Sequence, residues 1–420
     1  MTNVPAAGNA PARKTVKRGR PEPSRGPEQT RMQEPPREGK IRKKFRIFSI
    51  REGMDLPFLF LTLVLLVIGL VMMFSASYAY AYYHFGNSYY FIERQAAFAV
   101  FGVFAMIAIS YFDYHHLHKF AIPVLLFSYM LLVVVRFMPA VNGVHRWITL
   151  GPFGQFQPSE IAKFAIVLIF AHLIALNFNR MSTFRYGVLP YLLVLAITAV
   201  LLLWEPHVSA TVIIVVLGAV MLFIGGVRLR WFGMAFGAIS AVMVYLVAFK
   251  KEFSYANTRV IGWLDPFTNA SEELIQKTWQ TRQSLYAIGS GGLLGLGLGQ
   301  SRQKFLYLPE PQNDFIFAIV CEELGFIGAL IIVVLFAMLV WRGVSISLRA
   351  KDKFGMLLGI GLVLQVGLQV ILNIAVVTNT IPNTGISLPF FSYGGTSLVI
   401  LLAEMGIVLS ISRTSSIEKT

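Results

Sequence analysis

The sequence predicts an all-α, polytopic membrane protein of ten transmembrane helices, and three observations support that class. Of its 420 residues 56% are hydrophobic and 14% charged, where an ordinary soluble domain holds about a quarter charged residues. Basic residues gather at one end: residues 1–51 hold 14 Lys/Arg and 4 acids, which is +10 of the net +15. Beyond Arg51, runs of about 20 apolar residues, enough to cross a hydrocarbon core, alternate with short polar breaks. A basic segment ahead of apolar spans marks the cytoplasmic side of a bilayer, so nucleic-acid binding is not expected. The single cysteine, Cys321, cannot form an internal disulfide and excludes a Cys-based zinc site.

The elements follow in order. Residues 1–51 are rich in Pro, Gly, Arg, Lys and Glu and poor in large apolar side chains, so a disordered basic cytoplasmic tail is expected. No secretory signal is expected there, because the first apolar run starts only at Leu56 and is long enough to span. A membrane domain over 52–413 then carries spans near 56–76, 95–112, 120–138, 159–176, 187–204, 208–226, 232–249, 315–341, 354–378 and 394–412, followed by a short cytoplasmic tail, 414–420. The count is even, so both termini share the cytoplasmic side. The inner connections then hold Lys119, Arg180, Arg185, Arg228, Arg230, Arg342, Arg349, Lys351 and Lys353, whereas the short outer ones hold only Arg94 and Arg146. This asymmetry independently gives the same orientation. Spans five and six meet at Trp204-Glu205-Pro206-His207, which a bent hairpin or re-entrant pair would also fit.

One outer connection, between spans seven and eight, is long: Lys250 to Asp314 (250–314), with 7 Lys/Arg and 6 Asp/Glu. Its glycine-rich stretch, Gly289 to Gly299, suits neither a water-exposed coil nor a spanning helix, so a segment packed on the bundle is expected. No Gly-Lys-Ser/Thr follows these glycines, which excludes a P-loop.

Ionisable groups inside a membrane are costly, and each one raises a functional hypothesis. Glu160 and Lys163, three residues apart after Pro158, share a helix face near the outer boundary. They read either as a self-satisfied ion pair or as a cation lining a cavity for an anionic lipid headgroup, with Arg146-Trp147 just before them. Asp314 opens span eight and reads either as a helix cap or as a base for a sugar hydroxyl, with Glu310, Arg302 and Lys304 nearby in sequence. In Cys321-Glu322-Glu323, one glutamate must turn inward or pair. Arg136 can snorkel at an outer helix end, and Glu404, in mid-span, needs a partner inside the bundle. His115, His116 and His118 read as a solvated inner loop more readily than as a metal site. Tyr78, Tyr80, Tyr82, Tyr83, Tyr89 and Tyr90 read as an interfacial belt.

Three phrases go beyond composition. They are Asn142-Gly143-Val144-His145-Arg146-Trp147-Ile148 with Gln157-Pro158-Ser159-Glu160 and Lys163; Tyr307-Leu308-Pro309-Glu310 with Asp314-Phe315-Ile316-Phe317 and Glu322-Glu323-Leu324-Gly325; and Pro382-Asn383-Thr384-Gly385 running on to Pro389-Phe390-Phe391-Ser392-Tyr393-Gly394-Gly395. In that order, over about residues 53–413, the chain resembles the SEDS family (shape, elongation, division and sporulation), most of all its FtsW/SpoVE branch. The resemblance implies a ten-helix peptidoglycan glycosyltransferase that polymerises lipid II at the outer face of the bacterial cytoplasmic membrane. It also implies a class B penicillin-binding protein and other division or elongation proteins as partners, with lipid II and lipid-linked glycan as ligands. Asp314 maps to the family's essential acid. Arg146, Trp147, Glu160, Lys163, Arg259, Gln283, Ser284, Lys304 and Glu310 fall in its substrate-binding phrases. Glu322, Glu323, Pro389, Ser392, Gly394 and Gly395 fall at structural or cavity-lining positions. The chain departs at Glu205-Pro206-His207-Val208-Ser209-Ala210, where many members read Gln-Pro-Asp-Leu-Gly-Thr.

The implied chemistry is a single inverting displacement. Asp314 takes the acceptor hydroxyl proton, and fixed cations, with a divalent cation (Mg2+ or Mn2+) as a possible helper, meet the departing diphosphate. The rivals are a carrier that flips lipid II, which would need alternating access, and a structural scaffold, which would leave the buried charges unexplained.

Overall fold

A computed structural model describes residues 53–140, 143–149, 151, 154–234, 237, 263–267 and 272–414. The predicted tail and Arg259 lie outside these residues, as does most of the predicted seventh span. Ten helices of 16 residues or more and one small hairpin carry the described architecture: α1 Leu56–Phe85, α2 Tyr90–Ser110, α3 Leu117–Arg136, β1 Ile148–Thr149, β2 Gln155–Phe156, α4 Pro158–Asn177, α5 Leu189–Trp204, α6 Val208–Ile224, α7 Glu272–Gly291, α8 Ile316–Leu348, α9 Lys353–Val377 and α10 Gly395–Thr414. Eight stretches among the described residues are long and apolar enough to cross a membrane, and α6 is a shorter apolar helix. The protein is a multi-pass helical membrane protein.

Local sequence sets the helix ends. Asp55 caps α1, its carboxylate accepting from the Phe58 amide at 2.9 Å, and Pro158 occupies the first turn of α4, where no amide proton is needed. Asp352 caps α9 through the Gly355 amide at 2.8 Å. Trp204 ends α5 and His207 precedes α6, so the uncertain junction is a tight turn between two separate helices. The end of the bundle where α1 begins is fastened where Arg342 in α8 grips Asp55 with Nε–Oδ1 and Nη2–Oδ2 contacts of 3.1 and 2.7 Å.

The core sits where α10 packs along α2, α8 against α9, α3 against α4 and α1 against α8. The described part of the long connection includes α7, a 20-residue helix which the sequence reading did not foresee, and the glycine stretch follows it. That stretch is packed on the bundle as expected, and the manner is specific. At Gly325 (φ 65, ψ −172) α8 breaks its helical geometry. The glycine loop inserts there, its Leu296 and Gly297 amides donating to the Glu322 and Glu323 carbonyls at 2.9 and 3.0 Å. In return the Phe326 and Ile327 amides donate to the Gly292 and Leu293 carbonyls at 2.9 and 3.1 Å. Non-helical backbone inside a membrane protein is tolerated when protein groups re-pair it in this way.

Candidate active site

One loop and two helices fasten the segment that carries Asp314. From below, the Asn373 amide of α9 donates to the Asp314 carbonyl at 2.7 Å and to the Ile386 carbonyl at 2.6 Å. From the side, the Ser392 hydroxyl donates to the Asn313 carbonyl at 2.8 Å while accepting from the Leu388 amide at 2.7 Å. The Tyr393 amide adds a bond to the Gln312 carbonyl at 2.8 Å. From the other direction α7 holds the approach: Trp279 donates to the Tyr307 carbonyl at 2.8 Å. The helix preceding residue of α8 is Phe315 and makes no side-chain cap. The capping alternative for Asp314 is therefore not what the structure shows.

Asp314 lines a cavity of about 530 Å³ together with Arg146, Trp147, Glu160, Lys163, His207 and Glu310. Pro389, Ser392, Gly394 and Gly395 line it as well. The β1–β2 hairpin, which the sequence reading also missed, pairs Ile148 with Phe156 and Thr149 with Gln155. It thereby fixes the spacing between Arg146-Trp147 and the start of α4. The Arg146 guanidinium donates to the Pro206 carbonyl, and Lys163 pairs with Glu160 at 2.8 Å. The ion pair forms, and both of its residues line the cavity.

Burial and the Glu310 charge push the Asp314 carboxyl up to about 6, with Arg146 opposing. The group is still mostly ionised at neutral pH, with a proton affinity suited to accepting one. Burial, with Arg146 and Lys163 adding to it, holds His207 at about 3, so its imidazole is neutral. Burial pushes Glu205 up to about 8, with Arg146 opposing, and neither of its carboxyl oxygens has a hydrogen-bond partner among the described residues. The fixed positive charges inside this cavity's lining are Lys163, Arg146 and Arg94. Among the described residues no group of three His, Cys, Asp or Glu side chains converges as a metal site.

Five of the expected site residues that are described, Lys304, Gln283, Ser284, Glu322 and Glu323, lie outside the cavity lining. Lys304 is wholly buried and outside the cavity lining. Its ammonium contacts Glu323 at 2.7 Å and Ser75 at 3.3 Å and lies 4.8 Å over the Tyr78 ring. That placement corrects its expected substrate contact, because its charge is matched by a buried carboxylate. Gln283 and Ser284 are buried on α7, with Ser284 donating to the Val377 carbonyl at 2.8 Å. Both glutamates of the Glu322-Glu323 pair turn inward. Glu322 accepts from Ser301 at 2.5 Å and from the Arg302 amide at 3.0 Å, and Glu323 accepts from Ser75 at 2.7 Å. Arg259 lies outside the described residues. Glu404 is buried against the Gln365 amide at 3.0 Å, which supplies the partner its position demanded.

The sequence reading missed Gln365, Gln369 and Asn373. Two of them line the cavity and the third holds the Asp314 carbonyl. The signal was present: three amides at i, i+4 and i+8 mark one face of a span that is otherwise apolar.

The family model of the cell cycle proteins FtsW, RodA and SpoVE matches residues 56–417. The chain belongs to the FtsW/RodA/SpoVE family. Among similar proteins is "Stage V sporulation protein E" of Bacillus subtilis (strain 168), 40% identical over 337 residues, covering 79% of this chain and 90% of that protein. "Probable peptidoglycan glycosyltransferase FtsW" of Geobacter sp. (strain M18) is 36% identical over 333 residues, covering 78% and 88%. A chain of the structure described as "Structural coordination of polymerization and crosslinking by a peptidoglycan synthase complex" superposes with a TM-score of 0.72. It is 26% identical, and the match covers 87% of this chain and 99% of that one. Crystalline Thermus thermophilus rod shape determining protein RodA gives a TM-score of 0.62 at 25% identity, covering 86% and 98%.

Proposed function

We propose that this member of the family is a peptidoglycan glycosyltransferase that polymerises lipid II at the outer face of the cytoplasmic membrane. The observation that carries the reading is one cavity holding a carboxylate, Asp314, together with the cations Arg146 and Lys163. Asp314 accepts the proton of the acceptor GlcNAc 4-hydroxyl as that oxygen bonds to the anomeric carbon of the lipid-linked MurNAc at the end of the donor strand. The bond from that carbon to the diphosphate oxygen breaks, its electron pair leaving with undecaprenyl diphosphate. Replacement of an α-diphosphate by a β-1,4 bond is inversion, so one carboxylate suffices and no covalent sugar intermediate forms.

The leaving group carries the hardest charge, and fixed cations in a partly dry site stabilise it far better than water-exposed ones would. Arg146 is steered by the Pro206 carbonyl, and Lys163 is held by Glu160, so neither needs to reorganise when the bond breaks. Glu160 tempers the Lys163 charge without cancelling the net attraction, because Arg146 stands beside it. The cross-linking partner suited to such an enzyme is a class B penicillin-binding protein. Purified full-length protein incubated with lipid II in detergent tests the reading. Glycan made without a membrane to cross separates polymerisation from flipping, and absence of glycan with the transpeptidase also supplied would refute it.

A further inference from the structure

The cavity wall is chemically divided. One sector carries Arg146 and Lys163, and another is aromatic: Tyr80 and Phe85 from the outer end of α1, Tyr90 and Phe91 from the start of α2, and Tyr393 from the loop before α10, with Arg94 among them. These rings are in mutual contact. Phe85 and Tyr90 stack at 4.0 Å with 5° between their planes. Phe91 meets Tyr393 edge-on at 4.8 Å and Tyr80 at 6.1 Å. The Arg94 guanidinium lies 4.2 Å above the centre of the Tyr90 ring, and its charge acts on the Tyr393 phenol.

An interfacial belt accounts for Tyr82, Tyr83 and Tyr89, which are exposed and outside the cavity lining. It does not account for Tyr80, Tyr90 and Tyr393, which turn to the cavity. Glu310 and Asp314 line the same cavity as these rings, so the wall and the carboxylate face one space.

The chemistry complementary to such a surface is a saccharide. A pyranose ring has a C–H face, which an aromatic face covers with little entropic cost because Tyr has few rotatable bonds. Its rim carries hydroxyl and amide groups, which a flat guanidinium and phenol oxygens can hydrogen-bond. An aromatic lining with a few placed polar groups is also how ligand pockets are usually built.

We propose that this aromatic wall is a saccharide subsite, holding pyranose units of the growing glycan strand next to Asp314. The proposal rests on the glycosyltransferase reading and adds where the strand lies. The same sugars occur in the incoming lipid II, so the test has to separate the two sources.

The probe is the soluble tetrasaccharide (GlcNAc-MurNAc)2, titrated against the full-length protein in detergent, alongside strand length and the KM for lipid II in the polymerisation assay. Phe85→Ala is expected to weaken tetrasaccharide binding about tenfold, the loss of one stacking contact, Arg94→Ala to weaken it through the loss of its hydrogen bonds, and both to shorten the strands made. Phe85→Tyr keeps a ring and is expected to recover most of the lost binding, and Asp314→Asn to slow glycan synthesis strongly while still binding the tetrasaccharide. Phe85 and Arg94 are exposed, at the end of α1 and near the start of α2, and an unchanged Tm shows that the fold is intact. Unchanged tetrasaccharide binding in both would overturn the subsite. So would a raised KM for lipid II with strand length unaffected, which would give the wall to the acceptor. Wild-type protein that binds the tetrasaccharide yet makes no glycan would leave the subsite standing and refute the enzymatic reading.

Discussion

Burial sets the proton affinity of Asp314, and two neighbours adjust it in opposite directions. Burial raises the carboxyl to about 6, Glu310 adding to the rise and Arg146 opposing it, so the carboxylate is ionised above about pH 6 and loses its capacity to accept a proton below that. Glycan synthesis is therefore expected to fall as pH drops through about 6. Removing the Glu310 charge (Glu310→Gln) should move that acid limb to lower pH, and removing the Arg146 charge (Arg146→Gln) to higher pH, as read from the pH dependence of kcat/KM. Asp314→Asn should cost about a hundred- to ten-thousandfold in rate, the usual worth of a general base, with Tm unchanged. Gly385 guards the same group: its φ is +70, and a β-carbon there would lie 3.0 Å from the Asp314 carboxylate oxygen. Gly385→Ala should therefore lower the rate through both backbone strain and crowding, and a Gly385→Ala enzyme of wild-type rate would show that the carboxylate works from another position. At this scale the sequence was informative wherever membrane burial makes a charge expensive, as at Lys163, Glu160 and Asp314. It misled at Lys304, because nothing in a linear reading shows that Ser75, 229 residues away, and Glu323 enclose its ammonium.

At the scale of elements, the break in α8 shows how the long connection is tied to a span. Lys304, Glu323 and Ser75 join the long connection to α8 and α1, while Glu322 takes Ser301 and the Arg302 amide. Deleting one member of a buried pair strands the other charge, at a cost of about 3–5 kcal/mol. Lys304→Met is thus expected to lower Tm sharply, and Lys304→Met with Glu323→Leu to recover part of the loss, because the stranded carboxylate is gone. Equal instability of the single and double variants would argue against that pairing. Gly325 and Gly295 approach so closely that a β-carbon on Gly325 would strike the Leu293 carbonyl at 2.6 Å, and Gly325 also has φ +65. Gly325→Ala is expected to undock the glycine loop and raise amide exchange over residues 292–300. The spans were legible because about 20 apolar residues are a length signal that little else produces. The helix α7 was not, since its polar sequence has no such run, and the β1–β2 hairpin has only two residues per strand.

For the whole molecule, function depends on which side of the bilayer receives the cavity. α8 runs from beside Asp314 at its start to Arg342 and Leu348 at its end, so the cavity and the basic connections that include Arg349, Lys351 and Lys353 lie at opposite ends of one helix. Lys and Arg favour the cytoplasmic side, and the part of α8 beyond its break at Gly325, 326–348, rises about 35 Å, enough to cross the hydrocarbon core. The basic end of α8 is therefore expected on the cytoplasmic side and the cavity on the outer side. The chain carries one cysteine, Cys321, which is buried, so a Cys321→Ala background is suited to labelling. Asn87 and Tyr307 are exposed near the cavity end and Lys351 at the other. An impermeant maleimide is expected to label Asn87→Cys and Tyr307→Cys in intact spheroplasts, and Lys351→Cys only after lysis. The opposite pattern would place Asp314 in the cytosol, where a strand headed for the cell wall cannot be made, and would leave the fold intact while removing its proposed activity.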